Sequence, residues 1–357
     1  MPHASSLWED LRALPRPAWV LFGGTFINRF GSFVLAFLVF YLTSRGYSPA
    51  AAGLALSAYG IGSMASAALI ADLTPEGRRI TGFAMYRLAV NAGVAAGPAV
   101  AGFLAQRSFL WLFVGDASTS IIYGCAAYFA LPADRHQPHR RELTRNVVSR
   151  MASDARLVRM LVATLALAFV VHQAYATFPL HLARSGYTPV IYGSLMSLNG
   201  LLIILLELSV TTVTRRLPAL IAIAVGLVLN GIGFGAIGLA SSAGTLALTV
   251  VIWTFGEMVF SPVGAAYIAD IAPPHLRGRY QAAWAFTFSL GLMLAPIGGT
   301  LLYSVKPVWL WYTCFALCLA AAGLMLGAWI SERGVERTIA SSSSASFADE
   351  PAAPVDH

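Results

Sequence analysis

Charge is what this sequence has least of: 11% of its 357 residues are Asp, Glu, Lys or Arg, where a soluble domain carries about a quarter. With 57% hydrophobic residues and a mean hydropathy of +0.70, the chain cannot cover itself with a polar surface, so lipid is its expected solvent. Cysteine is scarce too. Cys125, Cys314 and Cys318 all lie in apolar runs with no CxxC spacing and no metal-site neighbours. They read as small buried hydrophobes, and neither a metal nor another cofactor is expected. A Walker A loop, HExxH, GxSxG and a GxGxxG in a βαβ setting are all missing, so an ATP-driven pump, a membrane hydrolase or any other enzyme has no support. No cleavable leader is evident, because the first apolar run, about 20–42, is too long for a signal core and lacks a small-residue cleavage site. The net charge of +7 is spread over short loops rather than massed on one face. It reads as a topology signal and not as a nucleic-acid surface.

What is there is apolar sequence in long runs. A membrane-crossing helix needs about 20 apolar residues, and runs of that kind fall at roughly 18–44, 50–72, 79–105, 108–132, 157–183, 189–213, 217–239, 242–270, 279–303 and 307–331. The expectation is an all-α membrane protein with about 10 spans. An even number puts both termini on one side. Most of the 23 basic residues collect in alternate segments, among them Arg78, Arg79, Arg140, Arg141, Arg215, Arg216, Arg277, Arg279 and Arg333, whereas the opposite loops hold Arg45, Arg107, Arg184 and Lys306. That bias predicts cytoplasmic termini in a bacterial-type inner membrane. The expected divisions are a cytoplasmic N-terminus (1–17), a first helical half (18–132), a basic cytoplasmic linker (133–156), a second helical half (157–331) and a disordered tail (332–357) carrying the run Ser341–Ser344.

The two halves repeat one another. Gly46-Tyr47-Ser48-Pro49 matches Gly186-Tyr187-Thr188-Pro189, then Gly53 matches Gly193 and Gly60 matches Gly200, all at an offset of 140 residues. Further on, Asp72 matches Asp270, Pro75 matches Pro273, Arg79 matches Arg277, Gly93 matches Gly291 and Pro98 matches Pro296, all at an offset of 198. Parallel repeats of this kind mark transporters. The jump of 58 between the two offsets implies that the first half lacks a block the second half has around 201–258. The expected architecture is then 4 spans plus 6, shortened from 6 plus 6.

The segment Gly93-x-x-x-Gly97-Pro98-x-x-Ala101-Gly102 and its second copy, Gly291-x-x-x-Ala295-Pro296-x-Gly298-Gly299, resemble the antiporter motif of the major facilitator superfamily, most closely its drug–proton antiporter branch. Small residues there let helices approach closely, and the prolines weaken the backbone ladder. Asp72-Leu-Thr-Pro-Glu-Gly-Arg78-Arg79 and Asp270-Ile-Ala-Pro-Pro-His-Leu-Arg277-Gly-Arg279 resemble the family's loops before its fifth and eleventh helices. The resemblance spans about 18–331 and implies a two-half bundle that carries a small solute, with protons as coupling ion. Two parts of the pattern are absent: the Gly-x-x-x-Asp-x-x-Gly-Arg-Arg loop and the Arg-bearing start of helix four, both in the missing block.

Ionisable groups inside spans are costly and so draw attention. Glu257 lies about fifteen residues into its run, roughly 20 Å along a helix and close to the midplane. It reads as a proton carrier or the seat of a cationic substrate, or else as a structural partner of Arg29 or Arg87. Arg29 and its neighbour Asn28 lie in the first run, Arg87 in the third, Asp116 in the fourth and His172 in the fifth. Arg29 suits an anion or a buried pair; Asp116 and Arg87 suit structure; His172 is either titratable or packed. Asp72, Arg78, Arg79, Asp270, Arg277 and Arg279 form a repeated acid–base pattern suited to a cytoplasmic gate latch. The functional expectation is proton-coupled efflux of small drug-like or amphipathic solutes. A transport-inactive, internally deleted relative is the alternative, and an uptake carrier the second. Lipid and a small solute are the expected partners; the sequence carries no signal for an oligomeric state.

Overall fold

The computed structural model describes residues 16–57, 97–130, 144–214 and 216–348; the runs at 50–72 and 79–105 and the linker at 133–156 fall partly outside them. In chain order the helices are α1 (Arg16–Gly31), α2 (Phe33–Ser44), α3 (49–57), α4 (97–107), α5 (Leu110–Ala130), α6 (Thr144–Ser153), α7 (Ala155–Val171), α8 (Gln173–Ala176), α9 (Phe178–Arg184), α10 (Pro189–Thr214), α11 (Ala219–Ala236), α12 (Ala243–Ile271), α13 (Arg277–Val305) and α14 (Pro307–Ala348). No strand occurs among the described residues. In lipid each helix satisfies its own backbone groups, which is why an apolar chain of this kind folds all-α.

Six stretches among the described residues are long and apolar enough to cross a membrane: Ala155–Arg184, Pro189–Thr214, Ala219–Leu239, Ala243–Ile271, Pro274–Val305 and Pro307–Arg333. They form the second half. Helix α11 is its centre, packed against α12 and α14, while α10 leans on α12 and α13 lies along α7. On α10, Leu201, Leu205 and Leu208 form an exposed stripe at helical spacing, a surface suited to lipid. In the first half α1 lies along α5, close enough that Gly31 sits directly against the Thr119 side chain and Gly24 against the Tyr123 ring. Helix α14 passes the expected boundary at 331 and runs through Ser341–Ser344 to Ala348. No proline interrupts the chain there before Pro351.

The runs at 18–44 and 157–183 read as continuous spans, but each is broken, and the breaks are repeat partners. Ser32 separates α1 from α2, and His172 separates α7 from α8, at the same offset of 140. At each break the side chain turns back on the carbonyl four residues earlier: Ser32 Oγ donates to Asn28 O at 2.8 Å, and His172 Nδ1 reaches Ala168 O at 2.6 Å. A side chain that takes a ladder carbonyl competes with the helix. A further break at Thr177 precedes Pro179, which has no amide hydrogen to offer the turn before it. Both broken helices then end alike. Gly46 and Gly186 have φ of 85° and 80°, the left-handed region that suits glycine. Each donates to a carbonyl three residues back while the following tyrosine donates five residues back, the double bond of a Schellman cap.

At this Gly46/Gly186 end the two halves meet. A Cβ added at Gly53 on α3 would stand 2.5 Å from the Pro296 carbonyl oxygen on α13, and one at Gly193 on α10 would run into the Pro98 carbonyl on α4. Gly102 likewise faces the Pro189 carbonyl at 3.0 Å. Phe37 of α2 adds an edge-on contact with Tyr192 of α10, ring centroids 5.2 Å apart, and α2 touches α8 and α9. Since the obstacle at Gly193 is backbone, no rotamer change relieves it. Gly193→Ala is therefore expected to destabilise the protein by about 1–3 kcal/mol, read as a lowered Tm in detergent, whereas Gly327→Ala, whose Cβ would meet nothing within 4 Å, leaves Tm within experimental error.

Candidate functional site

Inside the second half lies a cavity of about 100 Å³, lined by Leu167 and Val171 of α7, Ile203 of α10, Glu257, Met258 and Ser261 of α12, and Phe288 of α13. Its walls are apolar apart from one carboxylate and one hydroxyl. Glu257 is carried to it by a long uninterrupted helix that starts at a capping box: Ser242 Oγ accepts from Thr245 N while Thr245 Oγ1 accepts from Ser242 N.

The carboxylate is held from the neighbouring helix. Asn199 Nδ2 donates to Glu257 Oε2 at 3.0 Å and to Thr254 Oγ1 at 2.9 Å. Thr254, fully buried, spends its own hydrogen on the Val250 carbonyl at 2.6 Å, so it meets Asn199 as an acceptor. Thr254 and Glu257, three residues apart on α12, thus present two acceptors to one amide. Sequence reasoning missed Asn199, because its position is informative only once α10 is known to lie on α12. Behind the site, Trp253 stacks on Phe234 with centroids 4.4 Å apart and meets Phe178 edge-on. It is packing rather than cavity wall. Trp284 donates to Thr164 Oγ1 at 3.1 Å and lies edge-on to Phe288.

His172 is next to the cavity residue Val171, at the break after α7. Its carbonyl partner can only accept, which assigns the proton to Nδ1. One residue on, Gln173 is fully buried and ties the broken segment to α13: Nε2 donates to Ala295 O at 3.1 Å and Oε1 accepts from Thr177 Oγ1 at 2.9 Å. Gly299 lies directly against this amide and Gly291 against Ala168, so the glycines of the second packing motif admit α7 and α8. In the first motif, a Cβ added at Gly97 would stand 2.6 Å from the Phe30 carbonyl oxygen, and Pro98 and Gly102 face α10.

The other expected site residues are scattered. Asn28 donates to Ser120 Oγ of α5 at 3.3 Å; Arg29 follows it on α1, and Asp116 lies one turn before Ser120 on α5, partly buried. Asp270, Arg277 and Arg279 are exposed on either side of the 3₁₀ turn Pro274–Leu276. Arg87, Asp72, Arg78, Arg79 and Gly93 lie outside the described residues. Near Asp270, Arg277 and Arg279 the structure shows a tie that the sequence did not suggest: Asp154 caps α7 through Oδ1 and accepts from Tyr280 OH through Oδ2 at 2.9 Å. It fastens the start of α7 to the start of α13.

The described residues form a helical membrane protein whose helix breaks at Ser32 and His172 are 140 residues apart. The chain belongs to the major facilitator superfamily, whose family model matches residues 62–259 and 216–353. It is 25% identical over 270 residues to the MFS-type transporter YhjO of Bacillus subtilis (strain 168), covering 73% of this chain and 65% of that one. It is 24% identical over 324 residues to a Na(+), Li(+), K(+)/H(+) antiporter of Planococcus maritimus, covering 78% and 76%. The chain spans 59–65% of the length of the Bacillus relatives YhjO, YqjV and YttB. Among solved structures it matches a POT family transporter in complex with a thioalcohol-conjugated peptide (TM-score 0.67, 14% identity, 90% of this chain and 97% of that one) and a bacterial metal transporter (TM-score 0.61, 14% identity, 88% and 99%). These likenesses establish the fold.

The amide of Asn199 serves two acceptors, so its removal and the loss of the carboxylate are expected to be coupled. Asn199→Ala leaves Thr254 Oγ1 and Glu257 without that donor, a loss of about 1–3 kcal/mol in the Tm-derived stability of purified protein. In the Asn199→Ala/Glu257→Gln double variant the losses fall short of additivity by about 1 kcal/mol. Additive losses would mean that the pair does not act as a unit.

Proposed function

We propose that the chain is a secondary carrier that exchanges protons for small amphipathic solutes across a bacterial inner membrane, with both termini cytoplasmic and Glu257 as the exchanging group. The observation that carries this reading is the Glu257 cavity: a carboxylate in an apolar wall, anchored by an amide donor from α10. Desolvation favours the neutral acid and a cation favours the ionised one. Proton and solute therefore compete for one group, which is the requirement for exchange. The close contacts between the halves at the Gly46/Gly186 end suit one end-closed state of a rocking cycle. Asp154 and Tyr280, with Asp270, Arg277 and Arg279 nearby, give the opposite end polar groups suited to a latch.

A second reading, exchange of an alkali cation for protons, is favoured by size. A cavity of about 100 Å³ holds roughly three waters at ~30 Å³ each, whereas drug-sized sites run to about 300–1,000 Å³. The likeness to the Planococcus maritimus antiporter points the same way.

Purified protein in liposomes with an imposed pH gradient separates these readings. Wild type is expected to dissipate the gradient on addition of an amphipathic amine, and Glu257→Gln, of nearly the same shape, to slow this at least about a hundredfold, the scale of losing a group that acts as the proton carrier. A response to Na⁺, Li⁺ or K⁺ alone selects the second reading. Equal rates for wild type and Glu257→Gln refute both.

A further inference from the structure

At the Gly46/Gly186 end the two halves make one contact in two different ways. In the first half Tyr41 of α2 lies edge-on to Phe113 of α5, ring centroids 4.9 Å apart. At the matching offsets of 140 and 198 residues the second half has His181 on α9 and Trp311 on α14, again edge-on, at 5.5 Å. The geometry is shared but the chemistry is not. His181 Nδ1 lies 3.1 Å from the hydroxyl of Tyr303 on α13, where the first half has Ala105. Trp311 Nε1 is buried with no hydrogen-bond partner, and the matching Phe113 has no such group to bury. Buried donors are ordinarily satisfied, and each exception calls for a physical reason. The second half thus holds a titratable ring and an unpaired donor in a contact that the first half makes without either.

The second version ties down a separate piece of helix. Helix α9 is seven residues long, set apart from α7 by the breaks at His172 and Thr177 and ended by the Gly186 cap. His181 fixes it to α13 and α14, and α2 of the other half rests on it. Charge around the tie is of one sign. The Arg184 guanidinium, three residues along α9, lies over the Tyr303 ring at 5.0 Å. Arg45 lies over Tyr41 at 5.5 Å, and Lys306 follows α13. Otherwise the elements packed on α9 carry, near this end, the phenols of Tyr41, Tyr175 and Tyr192, uncharged around neutral pH, and His172, held at the break by the Ala168 carbonyl. No Asp or Glu occurs in the stretches 37–49, 101–115, 173–193, 236–256 and 295–331 that form this end of the described structure.

We propose that His181 is a second proton site of the carrier, one that works the Gly46/Gly186 end: the neutral ring holds α9 on α13 and α14, and the protonated ring releases α9 and opens that end. A proton on His181 places a cation beside the Arg184 guanidinium with no carboxylate to offset either. In the partly buried closed arrangement the two charges repel through surroundings of low dielectric; once α9 swings away, water solvates both. The open state therefore binds the proton more tightly, and acid on that side draws the population towards it. Release of α9 also removes the seat of α2, which links the tie to the contact between the halves. The first half, with Tyr41 in the matching place, has no such response and stays a fixed surface to close on. His181 acts on the rocking motion proposed above, and does so whether or not Glu257 is the exchanging group.

The test reads the distance between spin labels at Gln106→Cys on α4 and Ser241→Cys after α11, exposed positions on opposite halves at this end. Pulsed electron resonance is applied to the full chain in lipid nanodiscs, with Cys125→Ala removing the exposed thiol. Between about pH 8 and about pH 5, a range that spans the ordinary titration of histidine, the open-to-closed population ratio of wild type is expected to rise about tenfold or more, the change that accompanies a difference of about one pH unit in proton affinity between the two states. Two variants remove the titration: His181→Tyr, the side chain of the repeat position, and His181→Gln, which keeps a hydrogen-bonding group without the charge. In each the ratio is expected to change less than about twofold, and should one fail to insert, the other carries the same prediction. Glu257→Gln keeps the wild-type response, so a carrier whose exchange proves not to need Glu257 leaves the result standing. No response in wild type, a response that survives in a His181 variant that inserts, or one that is lost in Glu257→Gln overturns the proposal.

Discussion

For the carrier function proposed above, the two halves have to close against each other tightly yet separate again, and side-chain interdigitation alone does not allow both. This chain meets the requirement with backbone. At Gly53 on Pro296 and at Gly193 on Pro98, a helix without a Cβ lies directly on a carbonyl of the other half. In lipid there is no hydrophobic force between helices, so close approach and dispersion set the strength of the contact. Surfaces of small residues also slide, because no large side chain has to leave a socket. The Schellman caps at Gly46 and Gly186, the ring contact of Phe37 with Tyr192 and the seating of α2 on α8 and α9 all lie at the end that these contacts bring together.

The broken first helix of each half follows from the same constraint. A bilayer offers no water to a freed carbonyl, so each break must supply its own partner. Ser32 and His172 do so with the same i−4 bond from unlike side chains. The second half goes further, with Gln173 bridging to Ala295 on α13 and Thr177 closing the amide's other side. The break is therefore anchored by a hydrogen bond to the helix that carries Pro296.

Some of this was legible in the residues. Mean hydropathy and run length locate the six spans of the second half, and Gly53, Gly193, Pro98 and Pro296 stand out as repeat pairs because glycine and proline have distinctive backbone chemistry. Glu257 stands out because an acid in an apolar run is rare. Other features were not legible. The helix breaks at Ser32 and His172 are among them, since a break needs only one side chain to choose a local carbonyl, and residue type does not dictate that choice. Asn199 gives no signal by itself; an amide in a span has many uses until a carboxylate faces it. Asp154 and Tyr280 are 126 residues apart, and nothing local pairs them.

The sequence by itself determined that this is a helical membrane protein of two related halves, because transfer from water to lipid is a property of local composition and a repeat is a property of order. Which glycine meets which proline was decided only by the tertiary structure. The repeat pairs Gly53 with Gly193 and Pro98 with Pro296, while the fold pairs them crosswise, Gly53 to Pro296 and Gly193 to Pro98. In each half the helix that carries the repeated glycine lies against the proline-bearing helix of the other half. No property of a single residue contains that relation.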